Sequence, residues 1–318
     1  MNYRKQVKKL SFFVLNILLQ KKYLNNIILN NQLTILNLHR VSPESNLFYP
    51  PLHPKLFEEL LLFLTKHFNV ITFREIGEYA KSEKPNVILS FDDGFKDYVE
   101  YAVPIMEKHG VRSNQNIIPN CLETNEAMWD VKLFDFLNAS PLSLIHEISL
   151  PGFEMKINEK NKVSYGLALM KYLKSQTKMQ REELFGTLDH TVNKNQNIRY
   201  TEMMSKKDVL EVSHVHEIGS HSYYHESMNR ETKAFFVNDF FKCQRYFKEI
   251  LELPFDIYAF PNGGYQAYQL DFLEQQGIKH ILLVDEEYSN NKTSRHHRFT
   301  YYADSKSEIK MRALGFKI

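Results

Sequence analysis

The chain has 318 residues, enough for one large core or two modest ones, and its 43% hydrophobic and 25% charged residues are those of a soluble globular protein. With 40 Lys and Arg against 38 Asp and Glu, the net charge of +2 gives no basic face for nucleic acid. The two cysteines, Cys121 and Cys243, form no closely spaced pair and no disulfide framework, which favours a reducing compartment.

Residues 1–33 read as an amphipathic helix. Arg4, Lys5, Lys8 and Lys9 precede an apolar run over 10–19, and Lys21 and Lys22 follow it. That run is about half of the roughly 20 residues that span a bilayer, and no small-residue cleavage site follows it. The helix is expected to pack on the domain or to make peripheral contact with an anionic membrane surface, placing the chain in the cytoplasm, against the inner membrane face.

From residue 34 to 318, short apolar runs alternate with helical periods. Strands are expected at 34–39, 69–72, 87–91, 114–118, 216–219, 257–260, 279–284 and 299–302. Leu56, Leu60, Phe63 and Leu64 share one helix face, as do Phe236, Phe240, Cys243, Phe247 and Ile250. The alternation predicts an α/β fold of parallel strands with helices outside. Seven or eight strands favour a barrel over an open sheet, although periodicity alone does not separate the two. The rhythm breaks between about 123 and 205. This stretch is rich in Lys, Asn, Gln and Glu, with helical runs near 163–173 and 180–188 and a weak strand pair at 145–150 and 155–157. It reads as a helical insertion on the barrel rim. Trp129, the only tryptophan, either reaches toward the cleft or anchors the insertion.

The chemistry sits at strand ends. Asp92 and Asp93 close the run 87–91 and are followed by Gly94, which permits a sharp turn. Adjacent residues leaving a strand point to different sides, so one carboxylate is placed to bind a metal and the other to face substrate. His221 and His225, just after the run 216–219 that Gly219 would end, stand four apart, the spacing that brings two imidazoles to one side of a helical turn. Two imidazoles and one carboxylate suit one divalent ion, Zn²⁺ first and Co²⁺, Ni²⁺ or Fe²⁺ with it, leaving positions open for water and substrate. Such a site suggests metal-assisted hydrolysis, with the remaining carboxylate as general base. His53, His67, His109, His146, His190, His214, His216 and His280 have no partners at useful spacing and read as surface or filler.

At three places the chain resembles the polysaccharide deacetylases, carbohydrate esterase family 4. These are Phe91-Asp92-Asp93-Gly94, His221-Ser222-Tyr223-Tyr224-His225 and Ala259-Phe260-Pro261-Asn262-Gly263, supported by the run 35–41. The resemblance covers roughly 34–120 and 201–302. It implies an irregular (β/α)7-type barrel that removes acetyl groups from N-acetylated sugars. It also implies Asp92 as general base, Asp93 with His221 and His225 as metal ligands, and the Pro261-Asn262 segment as lining for the substrate. Where the family's third motif carries an arginine that partners the base, this chain has Ala259, and Asn262 replaces a tyrosine. Asp92 therefore needs another orienting group. A branch acting on poly-N-acetylglucosamine also has Ala there and takes its acid histidine from an N-terminal strand. That implies His39 as the general acid; His296 and His297 are alternatives, although the run Ser294-Arg295-His296-His297-Arg298 otherwise reads as an exposed basic turn. The expected activity is metal-dependent removal of N-acetyl groups from a sugar of a polysaccharide or lipid-linked glycan precursor. Deformylation, O-acetyl ester cleavage or glycan binding without catalysis would use the same barrel.

Overall fold

The computed structural model describes residues 3–78, 83–192 and 198–316. Its centre is a ring of parallel strands: β1 (Gln32–Leu38), β3 (Asn86–Phe91), β4 (Asn114–Ile117), β5 (Glu217–Ser220), β6 (Ile257–Ala259) and β7 (His280–Leu283). Short β2 (Asn69–Val70) pairs with β3, and β8 (Ser289–Asn290) runs antiparallel to β1. The ring nearly closes through β9 (Arg295–His297), which pairs with β7, and β10 (Phe299–Thr300), which pairs with β1. Only Arg298 separates these two. Counted as one stave broken at Arg298, they complete seven staves, as the barrel reading expects.

Register explains where the site lies. Leu33, Ile35 and Asn37 of β1 stand opposite Asn86, Ile88 and Ser90 of β3, and side chains two apart share a face. Leu33, Ile35, Ile88, Ile257, Ala259 and Leu282 form a buried apolar cluster inside the ring. The next interior positions, Asn37, Ser90, Asn114 and Asn116, are polar and fully or almost fully buried. The barrel therefore changes from oil to hydrogen bonds toward the carboxyl ends of its strands. Outward residues Leu36, Leu38, Val87, Leu89 and Phe91 pack with Phe57, Leu60, Leu61 and Leu64 of the helix Pro54–His67. Gly219 lies within β5 rather than ending a strand. A Cβ there would meet Asn116 Oδ1 at 2.2 Å, so the glycine makes room for the asparagine.

The N-terminal helix spans Tyr3–Leu29 and packs on the barrel. Phe12 and Tyr23 make edge contacts with Phe316 at 6.2 and 6.0 Å, and Ile27 is buried. Residues 1–2 and the side chains of Arg4, Lys5, Lys8 and Lys9 fall outside the described part. Among the described residues no helix is long and apolar enough to cross a membrane.

Four helices, Trp129–Ala139, Leu142–Ile145, Lys162–Lys174 and Lys178–Val192, lie in the stretch 123–205 that reads as an insertion, of which residues 193–197 are not described. They build a core of their own, in which Phe48 stacks on Phe134 at 5.5 Å and lies against Gly166. The weak strand pair expected at 145–150 and 155–157 is absent from the described residues; only a bridge between Leu150 and Phe153 forms there. Trp129 anchors rather than reaches: it packs on Phe185 and under the Arg181 guanidinium at 4.3 Å.

The segment 294–298 is not an exposed turn. It is the seam of the barrel, with His296 and Arg298 fully buried. His296 binds Ser289 Oγ at 2.9 Å and the His280 ring at 3.0 Å, and His216, also buried, bonds the Ser113 N–H. Burial pulls His296 down to about 3 and His216 to about 4. Both groups favour the neutral ring in the folded state. Their stabilisation is therefore complete above the unfolded value of about 6.5 and is lost as pH falls from there toward 4. Thermal denaturation between pH 7.5 and 5 is expected to lose up to about 1.4 kcal/mol per pH unit from each group below that value. A transition midpoint that does not change over this range would overturn the assignment.

Candidate metal and active site

Asp92, Asp93, His221, His225 and His39 all meet in one cavity of about 240 Å³ at the carboxyl ends of β1, β3 and β5. Asp93 Oδ1 lies 3.4 Å from His221 Nε2 and 3.3 Å from His225 Nε2. Tetrahedral bonds of about 2.1 Å to a shared cation would set two donor atoms about 3.4 Å apart. Asp93 Oδ1 is buried and accepts no hydrogen bond, an arrangement that is costly unless a cation completes it. His221 Nδ1 lies 3.0 Å from the Ala259 carbonyl. Donation of that ring N–H fixes the tautomer and leaves Nε2 free as a ligand. The donor set fits one divalent metal.

The backbone is bent to achieve this. Asp93 has φ +79° and His225 φ +60°, left-handed conformations that side chains rarely adopt outside functional sites. The two histidines do not share a helical turn as their spacing suggested. They lie on a loop whose Ser222 is also left-handed at φ +59°. Ser222 Oγ accepts from the His225 N–H at 2.8 Å. Fully buried Asp239 accepts from the N–H groups of Tyr223 and Tyr224 at 2.9 and 3.1 Å. These bonds substitute for the helix and hold the imidazoles in place.

Arg298 supplies the partner that Ala259 does not. Its Nη1 and Nη2 each donate to Asp92 at 2.8 Å, one to Oδ1 and one to Oδ2. Nη1 also reaches Asn37 Oδ1 and Ser90 Oγ at 3.1 Å, and Nε reaches the Leu283 carbonyl at 3.3 Å. Asn116 Nδ2 adds a third bond to Asp92, at Oδ1, 2.7 Å. Oδ2 receives Arg298 alone and faces the metal side, 3.9 Å from His221 Nε2. Burial works against charge on Asp92, yet Arg298 and then His221 outweigh it and hold the carboxyl below its usual range. Burial likewise opposes charge on Asp93, which His225 and then His39 and His221 overcome. Burial pulls His221 down to about 4. The sequence singled out Arg298 only as part of a basic run; its value comes from lying 206 residues from Asp92 and in the same layer.

Other groups complete the cavity. His39 lines it and meets the Tyr49 ring edge-on with centroids 5.9 Å apart, and the Tyr49 hydroxyl donates to Asp93 Oδ2 at 3.2 Å. His296 and His297 do not line the cavity; His297 is bonded to Asp285 at 3.0 Å. Neither His214 nor His216 lines it. Phe260, Asn262 and Gly263 line it, while Pro261 is buried beside them. The insertion contributes directly. Asp130 lies 3.9 Å from His225 Nδ1, and Lys174 joins Asp130 at 2.9 Å to Asn262 Oδ1 at 2.6 Å. Buried Arg181 and Glu226 form an ion pair that fastens the insertion to the His225 loop. No spacing rule in the sequence marks Tyr49, Asp130 or Lys174.

Residues 188–281, which hold the His221–His225 loop and the 259–263 segment, match the family model of polysaccharide deacetylases. No curated protein matches the sequence significantly. Among solved structures, the Streptococcus pyogenes deacetylase PplD, in complex with acetate, aligns with a TM-score of 0.58 at 14% identity, over 89% of this chain and 98% of that one. IcaB from Ammonifex degensii gives 0.57 at 15% identity, over 89% and 97%. A de-N-acetylase from Aggregatibacter actinomycetemcomitans gives 0.53 at 16%, over 84% and 94%. At these identities the likeness is one of fold.

Proposed function

We propose that this chain, whose residues 188–281 match the polysaccharide deacetylase model and whose fold resembles that of solved deacetylases, hydrolyses the N-acetyl group of an N-acetylated sugar, in a polysaccharide or lipid-linked glycan, with one divalent metal. The observation that carries this reading is the orphaned Asp93 Oδ1 between two imidazole nitrogens, beside an aspartate held by Arg298. Asp93, His221 and His225 would hold the ion, Zn²⁺ or else Co²⁺, Ni²⁺ or Fe²⁺, which supplies acidification of water and polarisation of the amide carbonyl.

The chain's own groups do the rest. Asp92 stays ionised, and its Oδ2 takes the proton of the water that attacks the acetyl carbon. His39, which lines the same cavity, gives a proton to the sugar nitrogen as the C–N bond breaks, because an amide anion leaves poorly without one. Acetate and a free amine are the products. The Pro261-Asn262 segment and the wall of the insertion position the sugar and keep bulk water out.

Acetate release from N-acetylglucosamine oligomers tests the reading, with Asp92→Asn as control. The substitution is expected to lower kcat by about 10²–10⁴. Undiminished release would defeat Asp92 as base, and no release from the wild-type metal-loaded protein would defeat the activity. His39→Ala separates amide from ester chemistry. It is expected to cost about 10²-fold or more on N-acetyl substrates and under tenfold on an aryl acetate, whose leaving group needs no proton. Equal losses on both would remove His39 as acid.

A further inference from the structure

A second groove opens beyond Lys174. It holds about 550 Å³ and shares Lys174, Asn262 and Gly263 with the candidate metal cavity, so the two adjoin across the Lys174–Asn262 hydrogen bond. One wall is the helix Lys162–Lys174, and the other is formed by the loops at 227–230 and 262–264. The second wall is fixed in shape: a Cβ on Gly264 would meet Asn229 Oδ1 at 2.5 Å, so the two loops close on each other only over a glycine.

The lining carries three cations, Lys171, Lys174 and Arg230, and no carboxylate. Lys174 is already paired with Asp130. Lys171 and Arg230 are exposed and form no ion pair with any described residue. A chain of 40 basic and 38 acidic residues gives no general reason for a one-sign wall. The polar cavity beside Arg40 and Asp97 shows the contrast, since Glu44 and Glu202 stand there with Arg199 and Lys96.

We propose that this groove receives an anionic group, a phosphate ester or a carboxylate, carried by the glycan next to the N-acetyl sugar. The proposal rests on the hydrolase reading of the adjoining cavity. A neutral glycan offers such cations only hydroxyl acceptors, whereas a phosphate or carboxylate makes the stronger hydrogen bonds of a charge pair with them. A polymer that acquires an ammonium group at each cut would be repelled there. The groove therefore selects a substrate that brings its own negative charge.

The test compares acetate release from N-acetylglucosamine, N-acetylglucosamine 1-phosphate and N-acetylmuramic acid by the metal-loaded full chain and by the Lys171→Gln/Arg230→Gln double variant. Wild type is expected to favour at least one of the anionic sugars by about tenfold in kcat/KM at low salt. Phosphate against carboxylate preference tells the two sources apart. The preference should collapse in the double variant, and also in about 0.5 M NaCl, where the screening length falls to about 4 Å. Equal kcat/KM for all three sugars in wild type, or a preference that survives the double variant, overturns the groove and leaves the hydrolase standing. Calorimetric binding of N-acetylglucosamine 1-phosphate gives the second readout. Binding that weakens about tenfold in the double variant, with no acetate released from any sugar, would support the groove and defeat the hydrolase reading instead.

Discussion

Arg298→Met is expected to destabilise the fold by about 3–5 kcal/mol and to cut turnover by about 10²-fold, because it leaves a buried aspartate without its cation. Arg298 is fully buried, donates to both Asp92 oxygens and joins the strands at the barrel seam. Methionine fills most of the volume and satisfies none of the acceptors Asn37, Ser90, Asp92 and Leu283. Arg298→Lys separates stability from positioning. It keeps the charge and loses the fork, so turnover should recover in part. Denaturant unfolding and acetate-release kinetics on the three proteins provide the measurement. An Arg298→Met protein with unchanged unfolding midpoint and unchanged kcat would remove Arg298 as the group that holds the base.

Stripping the protein with a chelator is expected to reduce acetate release by about 10³-fold or more, with recovery on adding back a divalent ion, since several kcal/mol of charge stabilisation is lost with the metal. Elemental analysis should find one equivalent in wild type and under a tenth in Asp93→Ala or His221→Ala. The same ion should raise the thermal midpoint of wild type and leave that of Asp93→Ala in place, because an ion that binds only the folded state stabilises it. Asp93 Oδ1 is buried without a hydrogen-bond partner, so an ion bound there would offset the cost of an unpaired buried acceptor. Full activity in protein shown to be metal-free would end the metal assignment.

Part of this design could be read directly from residue order. The strand run 87–91 is short, largely apolar and bounded by turns, and the more polar run 114–118 ends in Ile117 and Ile118; they appear as β3 and β4, each with one end moved by one residue. Asp92, Asp93, His221 and His225 follow strands in the sequence, so a parallel barrel brings them to one end wherever the intervening chain goes. The short strands β8 and β9 could not be read in this way. Ser289–Asn290 and Arg295–His297 are polar and only two and three residues long, and their neighbours β1 and β7 determine their pairing.

Local pattern, then, was enough for parallel strands with helices outside and for the placing of four chemical groups at strand ends, while closure into a barrel was implied by the family resemblance. It misplaced the two histidines on a helical turn, because a four-residue spacing carries no record of the left-handed Ser222 and His225 or of Asp239 bonding their loop. It took Arg298 for solvent-exposed because a basic residue in a basic run ordinarily is, and burying a guanidinium becomes tolerable only when a distant carboxylate waits for it. It gave no role to Tyr49, Asp130 or Lys174, which reach the cavity from loops and from the insertion. Covalent order fixes which groups leave each strand; long-range packing fixes which charges meet, since a buried charge is stable only beside a partner the chain supplies from elsewhere.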